Sequence, residues 1–231
     1  MGGRRPQVVA SLPALLARLV SHYGPQGWWP AEHAFEMAVG AVLVQNAAWT
    51  NAERAIARMR QQGLLSPGAV ADLGEEQLAP IIRSSGTYRV KARRLKSLAS
   101  WWLEAVGKEG NVGRPVRRAL RAVHGIGPET ADCIAVYAFQ EPAFIADAYA
   151  RRLLTRLGIV PANSDYESVQ RMIEPLLPAD AGFHNEAHAA IVAHGKHACR
   201  ARPSCTRCFL REQCAFGQRT RCATSSVASA T

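Results

Sequence analysis

Lysine is scarce in this chain: Lys91, Lys96, Lys108 and Lys196 are the only four among 231 residues. The chain is nevertheless basic, with 28 Lys and Arg against 18 Asp and Glu, a net charge of +10. Nearly all of that positive charge is arginine, whose planar fork suits phosphate better than a compact ammonium does. The balance favours a polyanionic partner. Long apolar runs are also missing, and nothing approaches the roughly 18 apolar residues of a membrane span. The opening MGGRRPQVVASLPALLARLV has the basic start and apolar middle of a secretory leader. Ser11, Pro13 and Arg18 interrupt it and no small-residue cleavage site follows, so it reads as an amphipathic first helix. Strand-period alternation and internal repeats are absent, which makes the fold class all-α. Six cysteines could staple a secreted protein, but four crowd into residues 199–214. Such clustering points to metal or cluster ligation in a reducing compartment.

Helical spacing predicts a first helix over 10–22 and a second from about Ala31, with Phe35, Val39, Val42 and Leu43 on one face. Between them lies a Gly/Pro loop holding Trp28 and Trp29. Thr50 or Asn51 is placed to cap the next helix, AERAIARMRQQG. Helices follow at 66–72, 75–83 and 88–105, the last carrying Arg89, Lys91, Arg93, Arg94 and Lys96. Further helices are expected over 115–124, from Pro128, from Asp147 to Leu157, over 166–177 and over 184–198. The small polar residues from Gln218 onward read as a disordered tail.

The stretch LRAVHGIGPETADCIAVYAFQEPAFIADAY, beginning at Leu120, carries most of the functional information. Gly125-Ile126-Gly127 makes a tight turn between two helices. Pro128 opens the second helix, where its missing N–H costs nothing, and Glu129 suits the positive helix end. Glycine N–H groups beside a helix N-terminus form a site for a phosphate oxygen. This pattern reads as a helix-hairpin-helix, a sequence-independent clamp on a nucleic-acid backbone. QEP then breaks the helix, and AFI leads to Asp147. Near the C-terminus, Cys199-x5-Cys205-x2-Cys208-x5-Cys214 gathers four thiolates in one loop. Four cysteines can hold zinc or an iron–sulfur cluster. With only one CxxC, a loop wrapped around a [4Fe–4S] cube fits better than a two-knuckle zinc site, with zinc and free or paired thiols as alternatives. Cys133 falls on the apolar side of its helix and reads as core; Cys222 sits in the tail.

The hairpin LRAVHGIGPETA, the following Asp147 and the four-cysteine loop together resemble the endonuclease III superfamily of helix-hairpin-helix, Gly/Pro-rich, Asp DNA glycosylases. Within it, YGPQGWWPAEHAFEMAVGAVLVQNAAWTN and GPETAD look most similar to the 3-methyladenine DNA glycosylase III branch. The resemblance covers roughly residues 20–215. It implies two all-α lobes: a helical barrel over 27–141 ending in the hairpin, and a lobe of 1–26 plus 142–217 holding a [4Fe–4S] cluster on Cys199, Cys205, Cys208 and Cys214. Residues 218–231 would be the tail. Typical members carry one more residue between the first two cluster cysteines than this chain does.

The resemblance also assigns roles. Asp147 would stabilise the oxocarbenium character that builds on the sugar and orient the attacking water. Bifunctional relatives place a nucleophilic lysine where Glu129 stands here, and a carboxylate cannot form an imine. Base release without strand cleavage follows. Lys196 is the alternative amine. Because the target base must leave the stack, Gln45 would fill the vacated space, and Thr87 sits where relatives place a second wedge. Trp28, Trp29 and Phe35 are candidates for the base pocket, where an aromatic face favours a cationic alkylpurine. Gly125, Ile126, Gly127, Thr130, Arg89 and Lys91 are the expected DNA contacts. His184 and His188, four apart in HNEAH, lack the spacing of a metalloprotease motif and read, with His194 and His197, as packing or phosphate-facing residues. The function expected is base-excision removal of alkylated purines from double-stranded DNA by a monomer in the cytoplasm or nucleoid. The rivals are an oxidised-pyrimidine glycosylase with lyase activity and a silent DNA-binding module.

Overall fold

The structure, a computed structural model, describes residues 12–106 and 115–219. Its helices are α1 (Leu12–Tyr23), α2 (Ala34–Leu43), α3 (Trp49–Gln61), α4 (Pro67–Asp72), α5 (Glu75–Ile81), α6 (Tyr88–Ala105), α7 (Val116–Leu120), α8 (Pro128–Phe139), α9 (Ala148–Leu157), α10 (Tyr166–Ile173) and α11 (Ala181–His197). Short 3₁₀ turns occur at Arg83–Ser85, Glu174–Leu176, Cys205–Arg207 and Arg211–Gln213. The described residues contain no strand, so the chain is all-α as its apolar spacing predicts. No helix among them is long and apolar enough to cross a membrane.

The chain divides into two compact units. The central unit runs from Trp29 to Pro142, and the terminal unit joins the residues up to Trp28 with those from Ala143 onward. The central core is built around α2, whose residues from Phe35 to Leu43 are all buried. One of them is charged: Glu36 sits in the core and pairs with Arg60 of α3. In the terminal unit, Leu12, Leu15, Leu16 and Leu19 of α1 repeat at helical spacing and are all buried. They pack with Leu153 and Leu154 of α9 and Ile191 of α11. Each such leucine contributes about 1.5–3 kcal/mol on burial.

Several helix boundaries differ from those the spacing predicts. Helix α2 begins at Ala34 because the His33 ring accepts the Glu36 N–H. Ala48 precedes α3 without a side-chain cap. Asn51 lies in the first turn of α3 instead, where its side-chain oxygen accepts from Arg54 at 2.7 Å. The first hairpin helix spans only Val116–Leu120. Its start is held by the distant Glu141, whose carboxylate accepts the Val116 N–H at 2.6 Å. Helix α10 ends at Ile173 and continues as a 3₁₀ turn through Pro175, which has no N–H to sustain an α-helical bond. Asp180 starts α11 at Ala181, three residues before the predicted point, by accepting the Phe183 N–H at 2.7 Å. Residues 215–219 are helical, with the Gln218 N–H bonded to the Cys214 carbonyl at 2.9 Å, so the predicted disorder does not begin at Gln218. The rest of that tail, with Cys222, lies outside the described residues, as do the chain's first eleven residues and the loop predicted at 110–113.

Lys91 is the clearest correction. Expected on a DNA-facing surface of α6, it is 1% exposed. Its ammonium donates to the Leu43 carbonyl at 2.8 Å and the Ser85 carbonyl at 2.5 Å. It thereby satisfies the C-terminal end of α2 and the 3₁₀ turn before α6, two places where backbone acceptors lack helical partners. Burial, with the nearby Arg94 charge, lowers its pKa from the ordinary 10.5 to about 8. Because the folded state releases this proton more readily, the unfolded chain binds more protons between those values, and stability gains as pH rises through them. Measured by chemical denaturation, Lys91→Met is expected to lose about 1–3 kcal/mol near neutral pH through the unpaired carbonyls. The difference between wild type and variant should widen from pH 8 to 10.5.

Candidate functional site

The hairpin is assembled in the central unit from α7, the turn through Gly125–Gly127 and α8. Gly125 has φ +80°, the left-handed region, and a methyl group there would collide with the Arg94 side chain. Gly127 is different. Its φ of −79° and ψ of 174° suit any residue, and nothing lies within 4 Å of where a Cβ would stand. The sequence pattern treats the two glycines as equivalent, and only the first is required by the turn itself. Ile126 is 4% exposed and its N–H is spent on the Val123 carbonyl at 3.1 Å, so it anchors the turn rather than offering a phosphate contact. Thr130 is likewise turned inward at 8% exposure. Glu129 is exposed in the first turn of α8.

Gln45 ties this turn to α6. Its amide nitrogen donates to the Thr130 hydroxyl at 2.8 Å and the Gly125 carbonyl at 3.3 Å. Its amide oxygen accepts from Arg94 at 2.5 Å. The residue expected to act as a wedge is, in this structure, the hub of the hairpin's polar network. Arg94, which the sequence reading left unassigned, both packs against Gly125 and orients Gln45. Arg89 is exposed, with its guanidinium 5.7 Å from the Tyr88 ring centre. Thr87 is exposed at the start of α6 and makes no side-chain capping bond. Phe35 is a core residue at 3% exposure, edge-on to Trp102, and is not available as a pocket wall.

The paired tryptophans part company. Trp29 belongs to the central unit, edge-on to Trp49 and Tyr137, with its indole close to the bare backbone of Gly40. Trp28 belongs to the terminal unit, edge-on to His188 at 5.9 Å between ring centres. The Lys196 ammonium stands 5.2 Å from the Trp28 ring centre. Asp147 lies in the same unit as the N-cap of α9, one carboxylate oxygen accepting the Ala150 N–H at 2.7 Å. Its other oxygen is 3.6 Å from Nε2 of His188. The cap thus uses only one of the two Asp147 oxygens, and the other faces His188. His188 is the residue that sequence reasoning set aside. No local signal marks it, since it stands 41 positions from Asp147 and meets it only through helix packing.

The four cysteines line one small cavity in the terminal unit, with His194, Arg156 and Leu153 among its walls. Arg156 of α9 donates to the Cys199 sulfur at 3.2 Å and to the Arg200 and Ala201 carbonyls at 2.7 and 3.0 Å. Arg152 donates to the Cys199 carbonyl at 2.7 Å. Burial pushes the Cys208 and Cys214 thiols up, and the neighbouring cysteines add to it. Burial, with His22 nearby, lowers His194 to about 4, so its ring is neutral at ordinary pH. One ring nitrogen lies 3.0 Å from the Tyr23 hydroxyl and the other 3.8 Å from the Cys208 sulfur.

The sequence profile of HhH-GPD superfamily base excision DNA repair proteins matches residues 39–179. The chain belongs to this superfamily. It is a DNA repair glycosylase of that family. Over 202 residues it is 37% identical to a Methanocaldococcus jannaschii protein named "Putative DNA repair glycosylase MJ1434", covering 85% of this chain and 92% of that one. A non-covalent endonuclease III–DNA complex superposes with a TM-score of 0.79 at 23% identity, over 92% of this chain and 98% of that one. The H. pylori 3-methyladenine DNA glycosylase MagIII superposes with a TM-score of 0.69 at 25% identity, over 81% and 97% of the two chains.

The donor set of this HhH-GPD protein can be tested against its candidate cofactors. A single zinc ion draws each sulfur to about 2.3 Å. Among the described residues, no three His, Cys, Asp or Glu side chains converge for one ion. A four-iron cube takes one thiolate per iron and so accepts wider spacing. Its positive irons would also offset the mutual repulsion that opposes ionising four clustered thiols together. The four cysteines line one cavity and offer the thiolate donors either group would need, without a site already closed around one ion.

The two glycines of the turn give a direct test of this geometry. Gly125→Ala is expected to lower stability by about 1–2 kcal/mol, from the left-handed backbone and the displaced Arg94. Gly127→Ala should cost under about 1 kcal/mol, the size of a poorer helix cap. Thermal unfolding of both variants measures the contrast.

Proposed function

We propose that this HhH-GPD protein is a monofunctional glycosylase that removes alkylated purines from double-stranded DNA by hydrolysis. The observation that carries this reading is the arrangement of Asp147, His188 and Trp28. A carboxylate and an aromatic ring flank one imidazole in a single unit. The similarity to MagIII, a 3-methyladenine glycosylase bound to 1,N6-ethenoadenine in that structure, supports the substrate class.

In the proposed reaction the hairpin, with Gly127 exposed at its tip, holds the DNA backbone while the damaged nucleotide leaves the stack. As the C1′–N bond breaks, its electron pair leaves with the base, and Asp147 stabilises the positive charge left on the sugar. The same carboxylate orients water for attack at C1′ and receives its proton. A base that is already cationic departs neutral, so no acid is required. Trp28 supplies the stacking wall, with Lys196 near its ring. Cys199, Cys205, Cys208 and Cys214 would hold a [4Fe–4S] cluster, which when bound cross-links the loop anchored by Arg152 and Arg156.

The absence of lysine from α8 and the hairpin turn argues for hydrolysis without strand cleavage. A lyase reading rests on Lys196, which shares its unit with Asp147. A panel of lesion-bearing duplexes, scored with and without alkali, separates these possibilities. Alkylpurine release with breaks only after alkali is expected; a borohydride-trapped adduct that disappears in Lys196→Gln would favour the lyase. Asp147→Asn should retain the Ala150 cap and DNA affinity while base release falls by about 10²–10⁴-fold. Loss of affinity together with release would make Asp147 a structural residue. Purified protein should be brown and contain iron, and a colourless zinc-loaded sample would overturn the cluster.

A further inference from the structure

We propose that His188 is a positioning residue for Asp147: its imidazole Nε2–H holds the carboxylate oxygen that the helix cap leaves available. This rests on the reading of Asp147 as the group that meets the reacting sugar. The Asp147 side chain is 13% exposed and that of His188 is 7% exposed, so solvent does little to orient either. The cap fixes one oxygen through the Ala150 N–H. Left alone, the carboxylate could still turn about that bond. His188 faces the second oxygen from α11, and the two constraints together define the carboxylate plane.

The imidazole can do this as a neutral Nε2–H tautomer or as an imidazolium, since both carry a proton toward Asp147. At 3.6 Å the contact is longer than a hydrogen bond, so it sets the approach of the two groups without yet joining them. Catalytic contacts of this length commonly tighten in the complex with substrate. The His188 ring, itself buried on α11, is fixed in turn by the edge of Trp28. One side chain thus sets the direction of the carboxylate and supports the aromatic wall. Helix packing supplies the register. A methyl group at Gly195 would collide with the Tyr149 ring, so bare backbone lets α9 lie close along α11.

The test separates the donor from the wall. His188→Phe keeps a ring against Trp28 but cannot donate; His188→Gln keeps a donor of similar reach. Single-turnover base release from dimethyl-sulfate-methylated duplex DNA is measured alongside binding to a duplex carrying a tetrahydrofuran abasic analogue. Thermal unfolding checks each variant, and His188→Met replaces Phe should Phe fail to fold. His188→Phe is expected to slow release by about 10–100-fold, the cost of a mis-aimed group. His188→Gln should recover release to within about threefold of wild type, with DNA affinity unchanged in both. Equal rates in Phe and wild type, or equal impairment in Phe and Gln, would overturn the proposal. Asp147→Asn in the same assay tells the two failures apart. If it releases base at the wild-type rate, the reading of Asp147 falls and takes this inference with it; if only Asp147→Asn is impaired, the role of His188 alone falls.

Discussion

The terminal unit depends on how closely α9 can lie against α11. Gly195 makes that approach possible by presenting bare backbone to the Tyr149 ring. The two helices then stay in register along their length. Asp147 meets His188 near one end. Arg152 reaches Gly195 and Cys199, and Arg156 reaches the cysteine loop at the other end. A single helix, α9, therefore connects the capping aspartate to the cysteines, and two of its arginines, Arg152 and Arg156, are spent on structural bonds.

The central unit solves a different problem. A glycine-rich turn is cheap to bend and therefore poorly specified, and this one is fixed by side chains from elsewhere in the unit. Gln45 bonds both sides of the turn through Gly125 and Thr130, and Arg94 holds Gln45. Lys91, three residues before Arg94 on α6, holds the carbonyl ends of α2 and of the preceding 3₁₀ turn. In water these polar contacts would each be worth little. Buried or half-buried, they are costly to break, which makes the hairpin a stiff surface rather than a mobile loop.

Much of this was readable before any coordinates. Apolar residues at helical spacing identified α1, α2 and α6, and the Gly-Ile-Gly-Pro pattern identified the hairpin, because both are signals confined to a few neighbouring residues. Asp147 was readable from its place just after the hairpin, through the resemblance that the hairpin and the cysteine loop carry. The failures share a cause as well. Lys91 looked like part of a basic stripe, yet its direction of burial depended on where α2 ends. Phe35 looked like a pocket wall, yet it is core. His188 looked like a packing residue, and it is one, but the surface it packs on includes the carboxylate.

The amino-acid sequence by itself determined the helical class, the hairpin, the aspartate that follows it and the four-cysteine loop, since each is marked by contiguous residues and short-range backbone preferences. Only tertiary structure decided which oxygen of Asp147 is left over, which basic residues are buried, and which histidine stands beside the carboxylate. Those outcomes depend on contacts between residues tens of positions apart, where the packing of whole helices, and not local propensity, sets the distance.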